Sequence, residues 1–306
     1  MWSYALRRAL ATLPTLLAVI TVCYLLLHLT PGGPFDFEQK LSPSVMANLQ
    51  AKYHLDQPLW KQYLLYLNSL LHGDLGASFR YEDWNVNQLV AKALPVSAAI
   101  GGGSIVIAVI IGVALGTIAA LRQNSAIDYA VMFIGHMGST FPSFVIGPVL
   151  ILVFAIGLKV APAGGWDNFA PRYMLLPMAL LVFLQVAHIG RVMRGSLIEV
   201  MHSNFIRTAR AKGLPMRLVV WRHAMKPALM PVVSLIGPLA IASITAAVVT
   251  ESVFALPGLG KLIVNGAANR DYTLVLGLVV LITVIAVTFN FLVDLAYALL
   301  DPKIRY

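Results

Sequence analysis

The chain has 306 residues, of which 59% are hydrophobic and only 11% charged, with a mean hydropathy of +0.80; a soluble domain carries about a quarter charged residues. That balance excludes a conventional soluble core and predicts an all-α integral membrane protein. A formal charge of +9 is a nucleic-acid signal in a soluble protein, but here its meaning lies in where the basic residues fall, and no nucleic-acid partner is expected.

Six stretches carry no charged residue: 9–35, 93–121, 129–158, 173–190, 227–250 and 272–293. Each is long enough to cross a hydrocarbon core of about 30 Å as a helix rising about 1.5 Å per residue. Six transmembrane helices are therefore predicted, and half of the chain lies in lipid. The first, spanning residues 1–30 with its flank, begins after Arg7 and Arg8 like a signal peptide. Its apolar run continues to Leu29 without an Ala-x-Ala-like site, so a retained membrane helix is expected. Cys23, the single cysteine, lies inside it, which leaves no disulfide or cysteine-metal framework.

Residues 31–92 form a first connection with prolines at 31, 34, 43 and 58. Apolar residues recur at helical spacing at Val45, Leu49 and Tyr53, then at Leu59, Tyr63, Tyr66 and Leu70. Two short amphipathic helices are predicted, the first starting after Ser42 with Pro43 in its first turn. Residues 93–306 hold the other five spans. Gly112 and Gly116 in the second have the spacing that lets helices approach closely in lipid. Pro142, Gly147 and Pro148 are expected to interrupt the third span, and Pro231, Gly237 and Pro238 the fifth. Packing explains these breakers, and so does a translocation path flanked by bent helices.

Thirteen Lys and Arg fall on one side of the predicted membrane, at residues 7–8, 122, 191–226 and 303–305. Four lie on the other, Lys159, Arg172, Lys261 and Arg270, beside a first loop too long to count. Both termini are thus expected in the cytoplasm. Among intramembrane polar residues, His136, His188, Glu251, Asn290 and Asp294 stand as structural groups or as members of a proton or substrate path, the second being the reading of an ion-coupled transporter. The chain contains no His-Glu-x-x-His pair, no Gly-x-Ser-x-Gly elbow and no Gly-x4-Gly-Lys-[Ser/Thr] loop, so catalysis by this chain, including ATP hydrolysis, is not expected.

The connection at about 195–228 carries the densest basic cluster. Anionic lipid contact accounts for its charge. It also presents Ala209, Ala211 and Gly213 on a short predicted helix flanked by Phe205, Ile206 and Leu214, which fits a groove in a partner protein.

That segment, Arg207-Thr208-Ala209-Arg210-Ala211-Lys212-Gly213, resembles the Glu-Ala-Ala-x3-Gly coupling loop of bacterial ABC importer permeases. Ala209 and Gly213 match it, Arg207 and Thr208 replace the family's usual Glu and Ala, and Pro227 falls one residue later than the family's downstream proline. The likeness extends to Leu29–Pro34, Tyr53–Pro58, His72–Gly76, Glu251–Gly260, Asn269–Tyr272 and Leu300–Tyr306, and is specific for the DppB/OppB permease family, nearest its oligopeptide branch. The resemblance implies the type I ABC importer permease fold, in a multi-pass protein of the bacterial inner membrane. It further implies an OppC-like second permease, OppD-like and OppF-like ATPases holding ATP and Mg, an OppA-like external peptide-binding protein, and no cofactor on this chain. Dipeptide, nickel and glutathione importers of the same family are the alternatives.

Overall fold

The computed structural model describes residues 2–29, 56–81 and 83–300. The described residues form α1 (Trp2–Leu29), α2 (Leu59–Leu71), α3 (Val86–Leu121), α4 (Ala126–Thr140) and α5 (Ser143–Leu150), which widens into a π-helix over Ile151–Gly157. After these come α6 (Pro171–Met201) and α7 (Asn204–Ala211), then a turn at Met216–Leu218 and a π-helix at Val219–Ala224 that runs into α8 (Met225–Val253), α9 (Leu259–Ala268) and α10 (Tyr272–Leu300). The predicted first amphipathic helix and the chain end at 301–306 lie outside the described residues.

Five helices or helix runs among the described residues are long and apolar enough to cross a membrane, and α4 with α5 passes the same test only as a pair bent by 106°. The bend has a local cause. Phe141 adopts an extended conformation (φ −85°, ψ 131°) because the following proline ring disfavours the helical one, and Pro142 contributes no N–H. The carbonyl of Pro142 then accepts from Val145 N and Ile146 N, which starts α5. Pro148 removes another N–H one turn on, and the helix widens so that Leu158 N reaches back five residues to Val153 O.

The fifth span differs from expectation. Pro231 and Pro238 lie inside α8, which runs unbroken from Met225 to Val253. Proline is tolerated there because neighbouring groups take up the freed carbonyls of a membrane helix. Between the two prolines Ser234 Oγ adds a side-chain bond within the same helix, donating to Met230 O at 2.9 Å.

Helix α6 is the centre of the bundle, packing against α3, α4 and α8. Its approach to α3 is through bare backbone. A Cβ on Gly112 would stand 2.7 Å from Ile189 Cβ, and one on Gly116 would stand 2.5 Å from Gly190 O and 2.8 Å from Met193 Cβ. The predicted small-residue contact is thus formed, and it is α6 that fills it. Helix α4 meets α6 in the same way, with Gly138 directly over Phe183 O.

Only one of the two predicted amphipathic helices falls in the described residues. It is α2, whose Tyr63 hydroxyl lies 2.6 Å from Thr21 Oγ1 and whose Tyr63 and Tyr66 rings pack on Tyr24 of α1. The end of α1 in turn touches the start of α10 through His28 and Tyr272.

Replacing Gly112 or Gly116 by Leu is expected to cost about 1–3 kcal/mol by overpacking and to lower the thermal unfolding temperature of the detergent-solubilised protein. Gly102→Leu, where a Cβ meets nothing within 4 Å, leaves it unchanged.

Candidate functional site

The coupling-type segment is built by α7 and the turn that ends it. Ser203 precedes the helix, and Gly213 ends it with φ +77°, a conformation that a Cβ disfavours. Gly213 N donates to Arg210 O at 2.9 Å and Leu214 N reaches Ala209 O at 3.4 Å. This pair of bonds is a Schellman closure, which requires a left-handed residue just past the helix end. The Ala-x3-Gly spacing therefore has a local meaning: Ala209 supplies the carbonyl that the turn after Gly213 satisfies.

Two faces of α7 divide the segment. Ile206 is fully buried and Ala209 is 6% exposed, both inside a core with Ile189, Met193 and Leu197 of α6 and Val219, Val220 and Ala224 before α8. Ala209 thus faces this chain's own core. Arg207, Thr208, Arg210, Ala211, Lys212 and Gly213 are exposed, as are Phe205, Met216 and Trp221 beside them. The outer face is a basic rim around apolar side chains. The π-helix at Val219–Ala224, closed by Met225 N on Val220 O, holds one more residue per turn than an α-helix.

Above this core, Arg194 of α6 grips Asp128 at the start of α4, Nε to Oδ1 at 2.5 Å and Nη2 to Oδ2 at 2.6 Å. Midway along the bundle, Gln185 Nε2 of α6 donates to Ser243 Oγ of α8 at 2.9 Å and to Ser104 Oγ of α3 at 3.3 Å. The two hydroxyls pass their own protons to Leu239 O and Gly101 O. Sequence reasoning missed both contacts. Gln185 was discoverable as the carboxamide in an otherwise uncharged run, whereas the Asp128–Arg194 pair spans 66 residues and leaves no local pattern.

The far end of the bundle explains two of the quoted motifs. Glu251 is 1% exposed. Its Oε1 accepts from Ser97 Oγ at 2.5 Å and its Oε2 from Gly260 N at 2.7 Å and Lys261 N at 3.2 Å. The carboxylate caps the start of α9, where a helix favours negative charge. Gly258 leaves room for it, since a Cβ there would strike the carboxylate group, and Gly260 lets the start of α9 lie on the backbone of Val248. The interfacial acid read from sequence is thus a buried cap. Asp271 is fully buried and caps α10, accepting from Leu274 N at 3.1 Å and from Phe79 N at 3.2 Å, with Ser78 Oγ also donating to it. Arg80 Nε donates to Asn269 O at 2.8 Å. Residues 72–80 and 269–273 are therefore one joint.

Those engagements bear on the proton-path residues. Glu251 has three donors, and His188 bonds its own helix through Leu184 O at 3.1 Å on an exposed face. His136 and Asn290 are also exposed. Asp294 falls where side chains are outside the described set. Among the described residues no group of His, Cys, Asp and Glu is placed to hold a metal ion.

Between α3, α8 and α10 lies a cavity of about 330 Å³, lined by Ser97, Gly101, Gly102, Ser243, Ile282 and Phe289 among others. Its one charged wall residue is Glu251, whose oxygens are already engaged.

Residues 112–306 match the family described as "Binding-protein-dependent transport system inner membrane component", and residues 1–100 match the N-terminal part of such components. The chain belongs to this permease family. It is 52% identical over all 306 residues, covering 100% of both chains, to "Oligopeptide transport system permease protein OppB" of Salmonella typhimurium and, equally, of Escherichia coli K12. The "Dipeptide transport system permease protein DppB" of Bacillus subtilis is 42% identical over 302 residues, 99% of this chain and 97% of that one. In fold, the permease matches a chain of the inward-facing MetNI methionine ABC transporter with a TM-score of 0.59 at 16% identity, over 70% of this chain and 97% of that one. This permease is a multi-pass inner-membrane subunit of an ABC importer; it works with a second permease and with separate subunits that hydrolyse ATP.

Substitutions at two positions separate the roles of these turns. Gly213→Ala is expected to destabilise the loop by about 1–2 kcal/mol through its left-handed backbone, with Gly213→Asn milder; hydrogen exchange at Gly213 and Leu214 reads the difference. Glu251→Ala leaves buried amide donors without a partner and is expected to cost about 1–3 kcal/mol in thermal unfolding.

Proposed function

We propose that this chain is the permease that passes oligopeptides into the cytoplasm by alternating access. The observation that carries the reading is the full-length 52% likeness to proteins named as oligopeptide permeases. In this reading the complex comprises an OppC-like second permease, OppD-like and OppF-like ATPases that hold ATP and Mg, and an OppA-like external peptide-binding protein. Both termini lie in the cytoplasm in this reading, which the thirteen-to-four distribution of basic residues supports. Residues 1–30 are the first span, 31–92 an external loop that meets the binding protein, and 93–306 the transport core.

The ATPases dock on the outer face of α7, through Arg207, Thr208, Arg210, Ala211 and Lys212, with Ala209 and Gly213 setting the shape behind that face. The arrangement supports this role: the exposed rim offers charge and apolar side chains to a partner, while Ile206 and Ala209 fasten the same helix to α6 and α8. Alternating access then requires ATP and the loaded binding protein each to favour a different permease state, since a ligand shifts an equilibrium only by its difference in affinity. A cavity wall almost free of charge suits cargo that must be released as readily as it enters.

The dipeptide reading has its own support in the 42% relative. Reconstituting the purified complex in proteoliposomes distinguishes the two. Uptake of tri- to pentapeptides is expected, dependent on ATP and on the loaded binding protein. Uptake confined to dipeptides favours the second reading, and uptake driven by a proton gradient without ATP contradicts both.

A further inference from the structure

At its coupling end the bent pair α4–α5 is joined to α6 by a part-buried ion pair, Asp128 with Arg194. Asp128 is also held by the start of its own helix. Ser125 Oγ accepts from Asp128 N at 3.3 Å, and Asp128 Oδ2 accepts from Asn124 N at 2.9 Å, where Asn124 has φ +62°. The side chain is 2% exposed against 25% for that of Arg194. Two parallel bonds from the guanidinium fix orientation as well as distance. Replacing a buried pair by apolar residues is frequently neutral for stability, so what such a pair supplies is a fixed geometry.

Its position gives that geometry a use. Arg194 follows Met193, which packs both under Gly116 of α3 and in the core that holds Ile206 and Ala209 of α7. Beyond the pair, α4 and α6 part around a small cavity of about 80 Å³, lined by Val131, Gly135, Phe183 and Gly190 among others, and close again at Gly138. The opposite face of α4 is open, with Tyr129 and Phe133 exposed. Past the 106° bend, α5 packs on α8, Gly147 against Val253. Helix α4 is thus fastened to α6 at two points, the ion pair at its root and the backbone contact at Gly138, with a small cavity between them and the far half of the span beyond.

We propose that Asp128 and Arg194 are positioning residues of the transport reaction, the joint through which displacement of α7 and α6 is passed to the bent span α4–α5. The inference rests on the permease reading above. A joint of this kind leaves assembly and ATP hydrolysis in place when it is loosened, and lowers the peptide moved per ATP.

The test uses the whole complex in proteoliposomes with its binding protein, comparing wild type with Asp128→Asn, Arg194→Lys and the exchanged pair Asp128→Arg with Arg194→Asp. Co-purifying ATPase, ATP hydrolysis and uptake of a radiolabelled tripeptide are read together. Both single variants are expected to assemble and hydrolyse ATP while peptide imported per ATP falls by about tenfold, and the exchange recovers part of that ratio. An unchanged ratio overturns the proposal. So does a proportional loss of uptake and hydrolysis, or loss of the variant chains from the membrane, because each marks a purely structural pair. A wild type without ATP-dependent uptake overturns the permease reading and the proposal with it, so the two failures are told apart by which protein fails.

Discussion

The backbone contact of α6 with α3 at Gly112 and Gly116 is the constraint on which the other placements depend. Lipid tails are as apolar as leucine, so helices in a bilayer gain little by hiding apolar side chains and must associate by close packing and hydrogen bonds. Removing side chains at two positions one helical turn apart lets the backbones meet. Once α6 is seated, Gln185 reaches α3 and α8 in the middle of the bundle and Arg194 reaches Asp128 nearer the loop. Ile189, Met193 and Leu197 then present the surface on which α7 folds.

Helix α7 is too short to be stable alone. It exists because its ends and one face are supplied: the left-handed Gly213 closes its last turn, and Ile206 and Ala209 lie in a core drawn from three helices. Its remaining face is free to carry charge. A partner that pulls or turns this helix acts on α6 and α8 directly, with no flexible linker between. The far end follows a different principle, with buried carboxylates closing turns. Glu251 starts α9 and Asp271 starts α10, and each also gathers a segment distant in sequence, Ser97 in one case and residues 78–79 in the other.

How much of this was legible follows from the range of each interaction. The spans could be read because hydropathy is local and the bilayer sets their length. Gly112 and Gly116 could be read as a packing face, although not that α6 fills it. The break at Pro142 was visible because proline acts on its immediate neighbours, while α8 passed through Pro231 and Pro238 because tertiary surroundings decide whether a proline bends a membrane helix. The seven loop residues were found by motif, yet their division into inner and outer faces needed the core. Ala209, read as part of a partner-facing surface, packs inward. Glu251, Asp271, Asp128 and Gln185 owe their roles to partners many residues away, for which a sequence carries no spacing rule.

The central claim is that the outer face of α7 receives the ATPase while its inner face transmits the motion to α6. Thiol labelling of Arg210→Cys in a Cys23→Ala background tests it most directly, with the isolated permease compared with the assembled complex. Arg210 is exposed on the permease surface. The account predicts rapid labelling in the isolated chain and strong protection once the ATPases are bound. Equal labelling in both states, from a complex that still transports, would contradict it.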